Sequence, residues 1–213
     1  MVKLKKALNV ANILNQKIER IQFEGEMYQA FKQPQDKGVW FVWGASGSGK
    51  STFLLQLCKE FAKSQSTFYN LLEEELDDSD FIERNQIVGT ADVKENFLAA
   101  SYDYEQTCAY LDKRDSPKVV FIDSGVYFFK SFEQYLEFKQ KYRRKIIVIS
   151  GHAQGNNPRS EIEKSIRFDA KQKVFVTGYL AACQGRTIGP NGGLFTIWEE
   201  GYKKLRGETI END

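Results

Sequence analysis

Gly38-Val39-Trp40-Phe41-Val42-Trp43-Gly44-Ala45-Ser46-Gly47-Ser48-Gly49-Lys50-Ser51 is the stretch on which the fold turns. Its opening, Gly38–Trp43, is an apolar run of aromatic and β-branched residues, which is how a strand buried on both faces of a parallel sheet reads. The remainder, Gly44–Ser51, matches G-x-x-x-x-G-K-[ST] at every position. Beyond it Phe53, Leu54, Leu57, Cys58 and Phe61 recur at helical spacing, predicting an amphipathic helix over Ser51–Lys63. A strand, a glycine-rich turn and a helix in that order form a phosphate-binding loop. Glycines let main-chain N–H groups wrap a polyanion closely, and the helix N-terminus adds its dipole and its unpaired donors.

The pattern points to ATP held with Mg²⁺. Gly44, Ala45, Ser46, Gly47, Ser48, Gly49, Lys50, Ser51 and Thr52 are the candidate nucleotide-binding residues. Lys50 reaches the β- and γ-phosphates and the Ser51 hydroxyl ligates the metal. A chain of average residue usage and this length matches the motif by chance about once in a hundred.

Working outward, Thr67–Leu72 reads as a second strand that runs into the acidic cluster Glu73, Glu74 and Glu75. Asp77–Asp115 reads as helical and charged. Val119–Ile122 is a third apolar strand, and it ends at Asp123, a second candidate metal residue. Phe128–Tyr142 reads as one aromatic-rich amphipathic helix. Ile146–Ile149 is a fourth strand and leads into Ser150-Gly151-His152. Ala153–Ser160 reads as a polar loop. Lys173–Gly178 and Leu194–Trp198 read as closing strands joined by a glycine-rich link over Gly185–Gly193. Strands alternating with helices predict an α/β fold of three layers, helices on both faces of a mostly parallel central sheet.

Hydrolysis of ATP needs a group that orients or activates water. Glu73 is the candidate at the strand's edge, with Glu74 and Glu75 as alternatives, and a solvated acidic turn is the plain reading of such a run.

The order of these motifs resembles the RecA-like P-loop ATPases, above all the RadA repair ATPases and the core of the DnaB replicative helicases. The matching segments are Gly44–Thr52, Leu72-Glu73-Glu74, Ile122-Asp123-Ser124 and Ile149-Ser150-Gly151-His152. The resemblance implies that Glu73 is the catalytic glutamate. Ser150-Gly151-His152-Ala153 with Pro158-Arg159 looks like a segment that in the RadA group couples bound DNA to the γ-phosphate. It makes His152 a sensor, with Gln154 as the alternative reader, and Gln154–Arg159 a DNA-facing loop. Gly185-Arg186-Thr187-Ile188-Gly189-Pro190-Asn191-Gly192 looks like a helicase segment whose arginine reaches a neighbouring subunit's γ-phosphate. Arg186 would take that role, implying a homo-oligomer. Gln184 stands where that pattern has lysine. The chain carries no zinc finger, primase-binding domain or protease-like domain, so the likeness is to the motor core. The expected division is an N-terminal arm or helical cover over 1–37 and a RecA-like ATPase core over 38–213. The implied setting is DNA replication, recombination or repair. The competing classes are a nucleotide-dependent switch with slow turnover and a small-molecule kinase, the latter lacking an arginine-dense lid.

The chain has 213 residues and a formal net charge of +1, with 41% hydrophobic and 28% charged residues. That is ordinary for a globular protein, and any polyanion contact must come from local basic clusters such as Lys139–Lys145, Lys203–Arg206 and Lys3, Lys5 and Lys6. Cys58, Cys108 and Cys183 are odd in number and far apart, reading as reduced thiols. No run is long and apolar enough to span a membrane, and the basic N-terminus lacks an apolar core, so a cytoplasmic protein is expected.

Overall fold

A computed structural model describes residues 6–185 and 188–207, and only the backbone of Gly189, Pro190 and Asn191. The chain starts with a single-turn helix, α1 (Val10–Leu14), and a second helix, α2 (Gly25–Phe31). The strand β1 (Gly38–Gly44) follows, then helix α3 (Lys50–Ala62) and strand β2 (Thr67–Leu71). Helix α4 (Ser79–Val88) and a 3₁₀ turn (Thr90–Val93) lead to strand β3 (Phe97–Ala100) and helix α5 (Tyr104–Leu111). Strand β4 (Val119–Asp123), helices α6 (Gly125–Phe128) and α7 (Phe132–Lys141) and strand β5 (Ile146–Gln154) come next. A two-residue strand β6 (Asn157–Pro158), helix α8 (Glu161–Asp169), strands β7 (Gln172–Thr177), β8 (Leu180–Gly185) and β9 (Gly189–Thr196), and helix α9 (Glu199–Leu205) complete it.

Along the sheet the order is β3-β2-β4-β5-β1-β7-β8-β9, with β6 folded back on β5. Pairings from β3 through β7 are parallel, and β8 and β9 add antiparallel. The alternation of side chains along each strand divides the core. Trp40, Val42, Tyr69, Phe121 and Val148 face α2, α3 and α4. Val39, Phe41, Trp43, Val120, Ile147 and Ile149 face α5 to α8. Both faces are apolar because both are covered, which is why β1 reads as a continuous hydrophobic run.

The expected three-layer fold is present, with several local differences. Residues 97–100 form an edge strand inside the stretch read as helical. Four residues give barely one period of alternation, and the charged helices on either side mask it. The single helix expected over Phe128–Tyr142 is broken. Phe129 is extended, and Ser131 caps α7 by accepting a hydrogen bond from the Gln134 N–H at 3.2 Å. The aromatic residues run on across the break because both pieces cover the same face. The closing region holds three strands rather than two. The extra strand β8 lacks β-branched residues, and its two-residue turn uses Gly178 at φ 53° and Tyr179 at φ 60°, the positive values that such hairpins require.

Residues ahead of β1 take part in the core. Phe23, Met27, Ala30 and Phe31 are buried against α3 and the sheet. The helix α2 lies so close to β9 that a Cβ at Gly193 would come within 2.4 Å of the Ala30 carbonyl oxygen. Cys58, Cys108 and Cys183 are free thiols. Among the described residues no helix is long and apolar enough to cross a membrane.

Trp40 lies at the centre of this packing, with its ring 4.8 Å from Phe31, 5.5 Å from Phe61 and 6.3 Å from Phe23 between centroids. Trp40→Ala is expected to lower stability by about 3–5 kcal/mol in urea unfolding, as for other large-to-small core substitutions. A loss under about 1 kcal/mol would mean that the arm's aromatics pack independently of β1.

Candidate nucleotide site

Four parallel strands, β1, β2, β4 and β5, end at one edge of the sheet, where ligands of open α/β folds bind. Each delivers one of the residues singled out from sequence. Gly44 ends β1, Glu73 follows β2, Asp123 ends β4 and His152 lies near the end of β5, in register with Gly44. The strand β5 lies between β1 and β4, so the loop and the acidic strand flank the histidine strand.

The phosphate loop turns through Ala45–Gly49 into α3. Gly49 caps the helix at φ 94°, a left-handed conformation that favours glycine. The Tyr179 N–H donates to the Ser48 carbonyl oxygen at 3.0 Å and fastens the β7–β8 turn onto the loop. Ala45, Ser46, Gly47, Gly49, Lys50, Ser51 and Thr52 line a cavity of about 440 Å³. Glu73, Glu74, Asp80, Arg84, His152 and Tyr179 form its other walls. Gly44 and Ser48 support the loop from behind, and the Ser48 hydroxyl is buried with no hydrogen-bond partner.

Lys50 is 7% exposed although it carries a charged amine. Its Nζ lies 3.9 Å from Glu73 Oε2, and the other Glu73 oxygen lies 2.6 Å from His152 Nε2. The three acidic candidates are thereby separated. Glu73 faces the lysine and the histidine, Glu74 is held by Arg84, and Glu75 is exposed outside the cavity wall.

Asp123 is one layer back. It is 4% exposed, and its carboxylate accepts hydrogen bonds from Ser150 Oγ at 2.5 Å and from Tyr69 Oη at 2.6 Å. Burial first, and then the Asp123 charge, push the Tyr69 hydroxyl well above the ordinary phenol range, so it stays a donor. Asp123, Tyr69 and Ser150 occupy alternate positions that point to the α3 face, the face of the loop helix.

His152 is positioned by its backbone. Its N–H donates to Glu163 Oε1 at 2.9 Å, and its carbonyl accepts from the Arg159 N–H at 2.8 Å. The second oxygen of Glu163 accepts from both the N–H and the hydroxyl of Ser160, and the residue is 1% exposed. Sequence reasoning missed Glu163, although Ser160-x-x-Glu163 is a legible capping box. Arg84, Asp80 and Tyr179 were also missed, and no local signal marks them, because α4 and the β7–β8 turn meet the loop only in the folded chain.

The segment expected as a polar loop, Ala153–Ser160, is a tight hairpin. Asn157 and Pro158 pair with Gln154 and Ala153. Trp43 Nε1 donates to the Asn156 carbonyl at 3.0 Å, and Arg167 stacks 4.5 Å over the Trp43 ring while donating to Asn157 Oδ1 at 3.0 Å. Gln154, Asn156 and Arg159 are exposed on it. Arg186 lies outside the described residues.

Neither a protein-family model nor a curated protein sequence matches the chain. Solved structures do. A KaiC-like protein from the hyperthermophilic archaeon Pyrococcus horikoshii OT3 superposes with a TM-score of 0.58 at 15% identity, covering 84% of this chain and 100% of that one. The flagellar accessory protein FlaH from Methanocaldococcus jannaschii superposes with a TM-score of 0.58 at 13% identity, covering 84% of this chain and 92% of that one. At such identities the likeness shows the fold, a RecA-like P-loop α/β domain.

Glu163→Ala removes a cap and leaves a buried N–H unpaired. Chemical denaturation is expected to show a loss of about 2–4 kcal/mol. Unchanged stability would mean that His152 does not depend on this carboxylate.

Proposed function

We propose that the chain binds ATP with Mg²⁺ in the cavity over the Gly44–Ser51 loop and hydrolyses the γ-phosphate. The observation that carries the reading is the buried ammonium of Lys50 at the head of α3, facing a cavity lined by loop residues. A cation held out of water needs an anion beside it, and a nucleotide's phosphates supply more charge than Glu73 does.

In this reading the loop amides and Lys50 hold the β- and γ-phosphates and stabilise the charge that develops on transfer. The residues fit magnesium, which keeps several waters and takes few protein ligands. Ser51 offers a hydroxyl on the cavity wall, and Asp123 a buried carboxylate behind it. Among the described residues no cluster of three or more His, Cys, Asp or Glu competes for the ion. When bound, Mg²⁺ neutralises phosphate charge. Because Tyr69 and Ser150 occupy the Asp123 oxygens, Asp123 acts through them or through a metal-bound water. Glu73 orients the attacking water. His152, in contact with Glu73 and hydrogen-bonded through its backbone to Arg159 and Glu163, passes the phosphate state to the Gln154–Arg159 hairpin, with Gln154 as the alternative reader.

The finer assignments follow from the resemblance to the RadA and DnaB group. They are a homo-oligomer in which Arg186 completes a neighbour's site, DNA contacted by the Gln154–Arg159 hairpin, and a cytoplasmic role in replication, recombination or repair. The stiff attachment of the hairpin to Trp43 and Arg167 supports a surface that moves with the site. One observation favours a second reading, a slowly turning switch. Lys50 and His152 both engage Glu73, and a carboxylate so engaged is a poorer base until the phosphates draw Lys50 away.

Lys50→Ala is expected to abolish the heat of Mg-ATP binding in calorimetry. Glu73→Gln is expected to keep binding and to slow phosphate release by about 100-fold or more. Parent-like turnover by Glu73→Gln would remove the catalytic assignment. Parent turnover no faster than that of the variant, with or without single-stranded DNA, would favour the switch.

A further inference from the structure

The residues ahead of Arg20 have no place in their own core. Leu8, Val10, Ile13, Leu14 and Ile18 are all exposed, with Val10 at 70% and Leu14 at 77%. No residue of α1 is buried. A single helical turn rich in β-branched residues does not hold together in water by itself. Val10, Ile13 and Leu14 fall on one face of that turn, an i, i+3, i+4 stripe made for packing. The body begins only at Arg20, bridged to Gln35, and at the buried Ile21 and Phe23.

Elsewhere the protein exposes a matching surface. Beside the edge strand β3, a groove of about 430 Å³ runs between α4 and the 3₁₀ turn. Leu76, Phe81, Ile82, Ala91 and Phe97 give it an apolar floor. Ile87 and Leu98 nearby are exposed as well, at 79% and 53%.

Charge selects the occupant. Residues 1–18 carry Lys3, Lys5, Lys6 and Lys17 and no acid. The segment 73–83 beside the groove carries Glu73, Glu74, Glu75, Asp77, Asp78, Asp80 and Glu83 and no base. Of these Glu75, Asp77, Asp78, Asp80 and Glu83 are exposed. An apolar stripe flanked by lysines therefore faces an apolar groove flanked by carboxylates, and both belong to one chain.

We infer that the arm over residues 6–18 docks into the α4–β3 groove of a second copy. The contact is heterologous, since arm and groove are different surfaces, so it propagates into a ring or a filament rather than closing a twofold dimer. It rests on the oligomeric part of the proposed function and not on its nucleotide chemistry. The acidic segment that receives the arm continues into Glu73, Glu74 and Asp80 of the cavity wall, so the docked arm lies next to a neighbour's nucleotide site.

The test uses the full chain and two variants, Ile13→Asp/Leu14→Asp in the arm and Ile82→Asp in the groove, each checked for folding by circular dichroism. Sedimentation should show concentration-dependent assembly of the parent that weakens as salt rises. Each variant alone should associate at least ~10-fold more weakly, because a carboxylate must be desolvated in an apolar contact. Mixed together, the two retain one intact arm and one intact groove, and should form a one-to-one heterodimer. A parent that stays monomeric, variants that assemble like the parent, or a mixture that does not pair would each overturn the inference. The arm variant should bind Mg-ATP like the parent in calorimetry. Its failure to assemble with binding intact, and binding lost in Lys50→Ala with assembly intact, keep the two readings apart.

Discussion

A lysine ammonium removed from water at the head of a helix is the constraint around which this protein is arranged. Lys50 can be buried only if negative charge stands opposite, and Glu73 at 3.9 Å supplies part of it. Sheet, loop and helix share in this. The strand β1 is buried on both faces and fixes where the loop starts, Gly49 adopts the turn that starts α3, and the first turn of α3 carries Lys50 and Ser51 to the cavity.

Around that centre is a frame of hydrogen bonds made by residues that do not line the cavity. Tyr69 and Ser150 hold Asp123, Glu163 and Arg159 hold the backbone of His152, and Tyr179 holds Ser48. Each bond joins elements distant in sequence, so the geometry of the edge is a property of the whole sheet. The same frame extends outward. The hairpin after His152 is clamped by Trp43 from β1 and by Arg167 from α8, which ties an exposed polar surface to the strand that bears the phosphate loop.

A net charge near zero conceals a strongly uneven surface. Carboxylates gather along the segment from Glu73 to Glu83, and lysines gather on the arm. Opposite charges at separate places on one chain steer association between copies more than they stabilise either copy, because exposed pairs within one molecule contribute little.

The phosphate loop, the buried strands Gly38–Gly44, Thr67–Leu71 and Val119–Asp123, and the helix after the loop were legible because each is a local pattern. A motif of fixed spacing and a run of apolar residues carry their meaning within a dozen positions. Glu73, Asp123 and His152 were legible as strand-end residues, but not what each would touch. The edge strand at Phe97 and the strand over Leu180–Gly185 were hidden, since their pairing energy comes from neighbours far away in sequence. Glu163, Arg84 and Tyr179 reach the site only after crossovers have brought α8, α4 and the β7–β8 turn to one edge. Sequence by itself determined a phosphate-binding α/β protein, because glycines, a lysine and apolar periodicity act through local backbone geometry. Which carboxylate faces Lys50, what holds Asp123 and His152 in place, and that the arm's aliphatic residues stand clear of their own core were decided by tertiary structure alone, because burial and contact depend on residues that meet only when the sheet is assembled.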